Sequence, residues 1–324
     1  MTENRDAREA TGDGRQYCPE CGESVLRRDR FCIYCSADLS EERHAVDTDT
    51  GRTPDEAGPP TGGVQKDSRR TVMGHLRLIV ACLGLTVGSI VLGTAVALVI
   101  LVGLFLIGAE PSSTDELVVS LVAVQGIAFP GVSWAYFRYK GRSLRAFVPV
   151  SVPDRREVAV ILGAWIGCLV LVSVAAAVVV SLAGTEPASN EGSRTAAENP
   201  EFIPFLIPLV FLLNAPGEEL LFRGVIQGLF RERFGPVGAI LLATAMFAPI
   251  HIFALVGGVQ AALVTITILS IPSIVFGATY EYTGNFIVPT LVHAIYNTTL
   301  FGLLYLSSTM GETAGLLTDL AALQ

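Results

Sequence analysis

Three clusters of polar side chains interrupt the apolar C-terminal half of this 324-residue sequence, and the first contains Glu218, Glu219 and Arg223. On a helix, Glu219 and Arg223 stand one turn apart on one face, which predicts a buried structural ion pair. Glu218 is rotated by about 100° from Glu219, so it shares that arginine less easily. We therefore predict that Glu218 is the reactive carboxylate, a candidate general base. Pro216 and Gly217 are predicted to loosen the helix enough to admit water or an extended peptide.

The other two clusters each place a histidine one helical turn from a second residue. Phe247 precedes His251 by four positions, and His293 precedes Asn297 by four. His293 and Asn297 share one helical face, from which both could address the same substrate atom. Taken alone, His251 is equally well explained as a histidine hydrogen-bonded between helices. Asn297 has the alternative of holding helices together, but its position on the same face as His293 argues against that.

Two Cys-x-x-Cys pairs near the N-terminus predict a metal site formed by Cys18, Cys21, Cys32 and Cys35. Each pair offers two thiolates at the spacing of two corners of a tetrahedron. Together they predict a zinc ribbon whose Zn²⁺ has a structural or docking role, because four cysteine ligands leave no open position for catalysis. Such thiolates require a reducing compartment, which favours a cytoplasmic N-terminus. A pair of redox dithiols is the alternative interpretation.

The elements that must position these residues are membrane-spanning helices. Apolar residues make up 51% of the sequence and charged residues only 16%, whereas soluble proteins carry about 25% charged residues. Inside lipid every backbone group must be paired within its segment, so long apolar runs are predicted to be helices. We count seven such segments: 78–108, 117–137, 158–183, 203–230, 236–254, 259–280 and 286–307. The fold class is therefore an all-α polytopic bundle.

The distribution of basic residues predicts the orientation of these helices. Arg69, Arg70 and Arg77 precede the first segment, and Arg231 and Arg233 follow the fourth. Six more basic residues lie between the second and third segments: Arg138, Lys140, Arg142, Arg145, Arg155 and Arg156. The alternate loops are acidic and almost free of lysine and arginine. The positive-inside rule then places the N-terminus in the cytoplasm and the C-terminus outside.

Ionisable residues inside membrane helices are energetically expensive and mark functional sites. Taken together, Glu218-Glu219-x-x-x-Arg223, Phe247-x-x-x-His251 and His293-x-x-x-Asn297 resemble the CPBP family of intramembrane metalloproteases, which includes type II CAAX prenyl endopeptidases and bacteriocin-processing or immunity proteins. All three motifs are present in the usual order, and the resemblance covers roughly residues 203–301.

This resemblance implies a helical bundle around a cavity that opens to the cytoplasm. It implies that Glu218 activates a water with the help of His251, while His293 and Asn297 stabilise the oxyanion. The supporting residues would be Glu219, Arg223 and Phe247. Family members are labelled metalloproteases, which implies a catalytic divalent metal, but a metal-free glutamate mechanism is equally compatible with these side chains.

The expected function is hydrolysis of peptide bonds in membrane-associated proteins, including prenylated proteins of the CAAX type, in the plasma membrane. The ribbon would bind a cytoplasmic partner, and no nucleic-acid partner is expected. The alternatives are a non-proteolytic scaffold or immunity-type protein that binds a partner in the same cavity, and a transporter or channel. The absence of an inverted repeat of the motifs argues against transport.

The sequence predicts six regions along the chain. They are a disordered segment (1–16), the zinc ribbon (17–39), a flexible linker (40–75), three N-terminal transmembrane helices (76–200), the protease-like core (201–308) and a C-terminal tail (309–324).

Overall fold

The computed structural model describes residues 15–18, 24–26, 39 and 63–310. The chain divides into two compact units, Met1–Val80 with Leu229–Ala239, and Ala81–Gly228 with Ile240–Gln324. The first unit contains two antiparallel strands, β1 (Arg15–Tyr17) and β2 (Ser24–Leu26). Cys18, Val25 and Leu39 are buried together beside them.

Most of the regions that were predicted on either side of the helices lie outside the described residues. Cys21, Cys32 and Cys35 lie outside the described residues, so the zinc ribbon stays a prediction. Of this region the structure describes strands β1 and β2, Cys18 and Leu39. The same holds for the predicted disorder of 1–16, most of the linker, and the tail from residue 311 onward.

The rest of the described chain is almost entirely helical. Its helices are α1 (Gly63–Leu106), α2 (Ser113–Tyr139), α3 (Leu144–Phe147), α4 (Arg155–Ala183), α5 (Glu191–Glu198), α6 (200–227), α7 (Gly228–Ile250), α8 (Val259–Thr283) and α9 (Ile287–Met310). A short 3₁₀ turn, His251–Ala254, continues α7. Two very short strands, β3 (Ser189–Asn190) and β4 (Leu255–Val256), pair antiparallel.

Helices α2 and α6 contain wide π turns, and proline explains two of them. In α2 the π turn Leu121–Ala128 ends two residues before Pro130. In α6 the π turn Val210–Asn214 ends two residues before Pro216, and a second π turn, Leu220–Gln227, follows Glu219. Proline has no N–H and clashes with the carbonyl four residues earlier, so a local widening lets the helix continue.

Six helical runs are long and apolar enough to cross a membrane, namely Val72–Leu106, Ser113–Tyr139, Arg155–Ala183, Pro200–Ala254, Val259–Thr283 and Ile287–Thr309. They confirm the all-α polytopic fold and make this a multi-pass membrane protein. Two of the seven predicted segments, 203–230 and 236–254, fall within the single 55-residue run. At about 1.5 Å per residue that run is far longer than a bilayer core of about 30 Å. Gly235, with a φ of 69° and a ψ of 179°, breaks it between the two predicted segments.

An extensive buried core lies among α4, α8 and α9. It is formed by Ile161, Cys168, Val172, Ala176, Val264, Ile268, Phe276, Val288, Val292, Tyr296 and Leu300. Helix α4 begins with a capping box between Asp154 and Glu157 and ends at Gly184, whose φ of 64° suits a residue without a Cβ.

The turn between α8 and α9 is held by a buried asparagine. The side-chain oxygen Oδ1 of Asn285 accepts from the backbone N–H of Ser151 at 3.2 Å and from that of Ile287 at 3.2 Å. Its amide nitrogen donates to the Ser151 carbonyl at 3.1 Å and to Glu157 at the start of α4. These bonds fix where α9 begins, and hence the position of the polar residues that follow on it.

Candidate active site

Helix α6 buries three charged side chains on one short segment, with Glu218 and Glu219 between its two π turns and Arg223 within the second π turn. Glu218, Glu219 and Arg223 are 7%, 0% and 1% exposed. The ion pair predicted from their spacing is present, because a terminal nitrogen of Arg223 lies 3.1 Å from Oε1 of Glu219. That nitrogen does not meet hydrogen-bond geometry with any partner in the described chain. The contact is therefore better described as a buried charge–charge interaction than as a directed hydrogen bond.

Arg223 is held by two further helices. Its other terminal nitrogen donates to the carbonyl oxygen of Ser273 on α8 at 3.2 Å and to the Ser273 hydroxyl at 3.1 Å. The guanidinium carbon lies 4.5 Å from the ring centroid of Phe247 on α7 and 5.4 Å from that of Phe276 on α8. A buried arginine needs this many partners, since each unpaired donor would forfeit its hydration.

His293 on α9 joins the same carboxylate. Its Nδ1 lies 2.8 Å from Oε1 of Glu219, and its ring stacks on Phe276 with centroids 4.7 Å apart. The Nε2 atom lies 3.0 Å from the amide nitrogen of Asn297. An amide nitrogen can only donate, so Nε2 accepts and the ring proton sits on Nδ1, from which it is donated to Glu219.

Glu218 has a separate set of partners. Its Oε1 accepts from the amide nitrogen of Asn214 at 2.9 Å and from that of Gln125 on α2 at 3.4 Å. Its Oε2 lies 3.9 Å from Nε2 of His293, which is too far for a direct hydrogen bond. The side-chain amide nitrogen of Asn297 also donates to the side-chain oxygen Oδ1 of Asn214, at 2.9 Å. Glu218, His293 and Asn297 thus lie close together in the structure.

Asn214 and Gln125 were not among the predicted site residues. Asn214 lies four residues before Glu218, so helical spacing could have placed both on one face. For Gln125 the only signal was a polar side chain within the apolar segment 117–137. Its contact with Glu218 spans 93 residues of sequence, which no local pattern can encode.

His251 lies apart from these contacts in the described chain. It begins the 3₁₀ turn after α7, its Nδ1 lies 3.0 Å from the carbonyl oxygen of Phe247, and its ring packs on the Phe247 ring at 4.7 Å. Phe247 in turn packs against Phe222 at 5.0 Å and faces Arg223. Phe247 therefore links the second motif to the first, while His251 contacts neither Glu218 nor His293 among the described contacts.

The helix is widened by π turns on either side of Pro216 and Gly217 but is not interrupted at them, and the admission of water or a peptide stays a prediction. Both residues lie within a continuous helical stretch, and Gly217 is buried against α2. A Cβ on Gly217 would come within 2.8 Å of the carbonyl carbon of Gln125 and still closer to its oxygen. The glycine therefore permits a close approach of two helices, and the proline is accommodated by the preceding π turn.

The described residues contain no group of three or more histidine, cysteine, aspartate or glutamate side chains close enough together to hold a metal ion. Glu218 and His293 approach each other, but His251 does not complete a set of three ligands in this arrangement.

The fold and these contacts define a multi-pass membrane protein with a buried carboxylate–histidine–amide cluster inside its helices. Residues 200–299 match the family model described as Rce1-like, type II CAAX prenyl endopeptidase. This range contains all three motifs, so the resemblance inferred from them is confirmed over that stretch. No curated protein and no solved structure matched the chain.

Proposed function

We propose that this protein is an intramembrane endopeptidase that cleaves membrane-associated proteins by direct attack of water. The observation that carries the proposal is the position of Glu218. It is a buried carboxylate with one oxygen held by two amides and the other facing Nε2 of His293 at 3.9 Å. An ionisable group inside a membrane helix is energetically expensive, which makes Glu218 a functional candidate. The family match adds the reaction class.

Glu218 is the proposed general base. Its Oε2 removes a proton from a water molecule while the water oxygen bonds to the scissile carbonyl carbon. Collapse of the tetrahedral intermediate breaks the C–N bond, and the protonated Glu218 returns its proton to the departing amine. The products are one new carboxyl terminus and one new amino terminus.

His251 is the proposed assistant to Glu218. Consecutive membrane spans run in opposite directions, and Phe247 and Arg223 are in contact. Glu218 lies five residues before Arg223, and His251 lies four residues after Phe247, which is about 6–8 Å of helix in each case. The two side chains thus belong to one depth of the membrane, where a substrate lying between them could meet both.

Asn297 and His293 are the proposed oxyanion donors. Asn297 donates one amide hydrogen to the neutral Nε2 of His293, and a substrate oxygen that gains negative charge competes well for that hydrogen. His293 itself can donate only when Nε2 carries a proton. The Glu219 carboxylate at 2.8 Å from Nδ1 would stabilise the resulting imidazolium. Arg223 balances the charge of Glu219, which gives the pair a supporting role.

We assign no step to a metal ion, because the candidate ligands Glu218, His251 and His293 do not form a three-ligand group in the described chain. A catalytic divalent metal therefore remains a proposal separate from the mechanism above.

The proposed substrates are membrane-associated proteins, with prenylated CAAX-type proteins among them on the strength of the family's description. The proposed location is the plasma membrane, with the N-terminus in the cytoplasm and the C-terminus outside. The zinc ribbon is proposed to dock a cytoplasmic partner rather than to serve catalysis. Full proteolysis by a folded chain that lacks residues 1–70 is the expected result, and loss of cleavage would contradict this role.

A non-proteolytic scaffold is the second candidate, and the connectedness of the cluster favours it. Every member from Gln125 to Arg223 is tied to another by a hydrogen bond or ion pair, and such networks also serve to specify a buried core. The two functions make different demands on Glu218, because a scaffold needs its shape whereas a protease needs its charge.

The test compares protein termini in membranes from cells that carry the native chain, Glu218→Gln or, as a matched control, Glu201→Gln at an exposed position. A protease predicts that a set of new termini disappears in Glu218→Gln only, with cleavage reduced by about 10²-fold or more. Uncut precursors should accumulate in the same sample. An unchanged profile, with Glu218→Gln present at the native level, would support the scaffold instead.

A further inference from the structure

Asn214 uses both ends of its side-chain amide within the cluster. Its nitrogen donates to Oε1 of Glu218 at 2.9 Å, and its oxygen accepts from the amide nitrogen of Asn297 at 2.9 Å. One asparagine thus joins the proposed general base on α6 to the proposed oxyanion donor on α9. It is the last residue of the π turn Val210–Asn214, four residues before Glu218.

The chemistry of these groups gives the chain of hydrogen bonds a single direction. An ionised carboxylate only accepts, so Asn214 must turn its nitrogen towards Glu218 and its oxygen away. That oxygen also only accepts, so Asn297 must present its nitrogen to it. The nitrogen of Asn297 is then the atom that faces Nε2 of His293 at 3.0 Å. With Asn214 removed, the Asn297 amide keeps its hydrogen bond to Nε2 of His293 but loses the acceptor that holds its second hydrogen.

We propose that Asn214 is a positioning residue, which orients Glu218 and holds the second amide hydrogen of Asn297. The proposal rests on the proposed function only for its effect on catalysis, because the coupling between Asn214 and Glu218 exists whether or not the protein cleaves peptides. Gln125 offers a natural comparison. It donates to the same Oε1 of Glu218 but at 3.4 Å, and it makes no bond to Asn297 among the described contacts.

The kinetic test uses the full chain in lipid nanodiscs and two probes, a farnesylated CAAX-type peptide and a peptide that spans a cleavage site found by the comparison of termini. Asn214→Leu keeps the branched four-atom side chain but removes both the donor and the acceptor, whereas Asn214→Asp removes the donor to Glu218 and keeps an acceptor for Asn297. Loss of one preorganised oxyanion donor lowers kcat by about 10²-fold. We expect a loss of that size in Asn214→Leu, with KM within about threefold of native, and a smaller loss in Asn214→Asp. Gln125→Leu should lower kcat by less than either.

A residue that merely fills space would leave kcat within threefold of native in Asn214→Leu and Asn214→Asp, and that result would overturn the proposal. A residue that mainly shapes the substrate pocket would raise KM instead, which would also contradict it.

A double-mutant cycle on the melting temperature tests the contact without any substrate. Asn214→Leu should lower the melting temperature of the native chain, because it removes a donor from a buried carboxylate. The same change should have a smaller effect in the Glu218→Gln background, since that side chain is neutral. Equal effects in both backgrounds would show that Asn214 does not act on Glu218. If Glu218→Gln cleaves both probes at the native rate, the proposed protease mechanism fails, while the cycle still decides whether the two residues are coupled.

Discussion

Two arginine–glutamate pairs in this protein have similar geometry but lie in opposite environments. Glu219 and Arg223 on α6 are four residues apart with a closest approach of 3.1 Å, and both are almost fully buried. Glu191 and Arg194 on α5 are three residues apart, approach to 2.8 Å, and keep side chains that are 47% and 51% exposed. The exposed pair has the better hydrogen bonds, since Arg194 meets both oxygens of Glu191.

The difference between the pairs lies in what else each one touches. Arg194 has one further acidic neighbour, Glu198 at 3.8 Å on the same helix. Arg223 and Glu219 reach Ser273 and Phe276 on α8, Phe247 on α7 and His293 on α9. Water satisfies the exposed charges, whereas the buried charges must recruit protein partners from several helices. We therefore expect the buried pair to matter more for stability than the exposed pair, although the exposed pair has the better hydrogen-bond geometry.

The largest effect is expected from Arg223→Met. It leaves Glu219 as a buried carboxylate without its counter-charge, and breaking a buried pair by removing one partner costs about 3–5 kcal/mol. We expect a low yield of folded protein after detergent extraction and a lower melting temperature. The double variant Arg223→Met with Glu219→Gln should recover part of the loss. A melting temperature equal to the native value for Arg223→Met would show that the buried pair contributes no more to stability than the exposed pair.

The smallest effect is expected from the matching change on α5, Arg194→Met. The exposed pair competes with water and salt, so the melting temperature near pH 7 should equal the native value within error. Hydrogen bonding by Arg194 lowers the pKa of Glu191. A lowered pKa contributes stability only above the pKa of the unfolded chain, and that contribution is lost as the pH falls through the folded value.

Any difference between Arg194→Met and the native chain should therefore be confined to neutral pH and should vanish under acidic conditions. Melting curves at several pH values check this. A difference that grows as the pH falls would show that Arg194 acts through something other than Glu191.

Contacts within one or two helical turns could be predicted from the sequence. The Glu219–Arg223 pair and the shared face of His293 and Asn297 follow from a period of 3.6 residues, and both are present in the structure. The apolar segments likewise predicted the polytopic helical fold. The seven predicted segments correspond to six runs because 203–230 and 236–254 fall within one run, which the non-helical backbone of Gly235 divides into two helices.

Contacts between distant helices could not be predicted, and they change the interpretation of several residues. The sequence predicts that Gly217 helps to loosen its helix, and in the fold this glycine allows close contact with the backbone of Gln125. The sequence spacing predicts only Arg223 as the partner of Glu219. In the structure Glu219 also accepts a hydrogen bond from Nδ1 of His293, which is 74 residues away in the sequence. His251 matches its motif as well as His293 does, yet only His293 is bonded into the cluster.

The amino-acid pattern alone established a membrane protein of this helical class, the three motifs and the residues that carry the proposed chemistry, because apolar length and helical periodicity are local properties. Only the packing of α2, α6 and α9 decided which oxygen of Glu218 is held, which nitrogen of His293 bears the proton and which way the Asn214 amide points. These details depend on hydrogen bonds between side chains far apart in the chain, whose direction is set by the donors and acceptors that folding brings together.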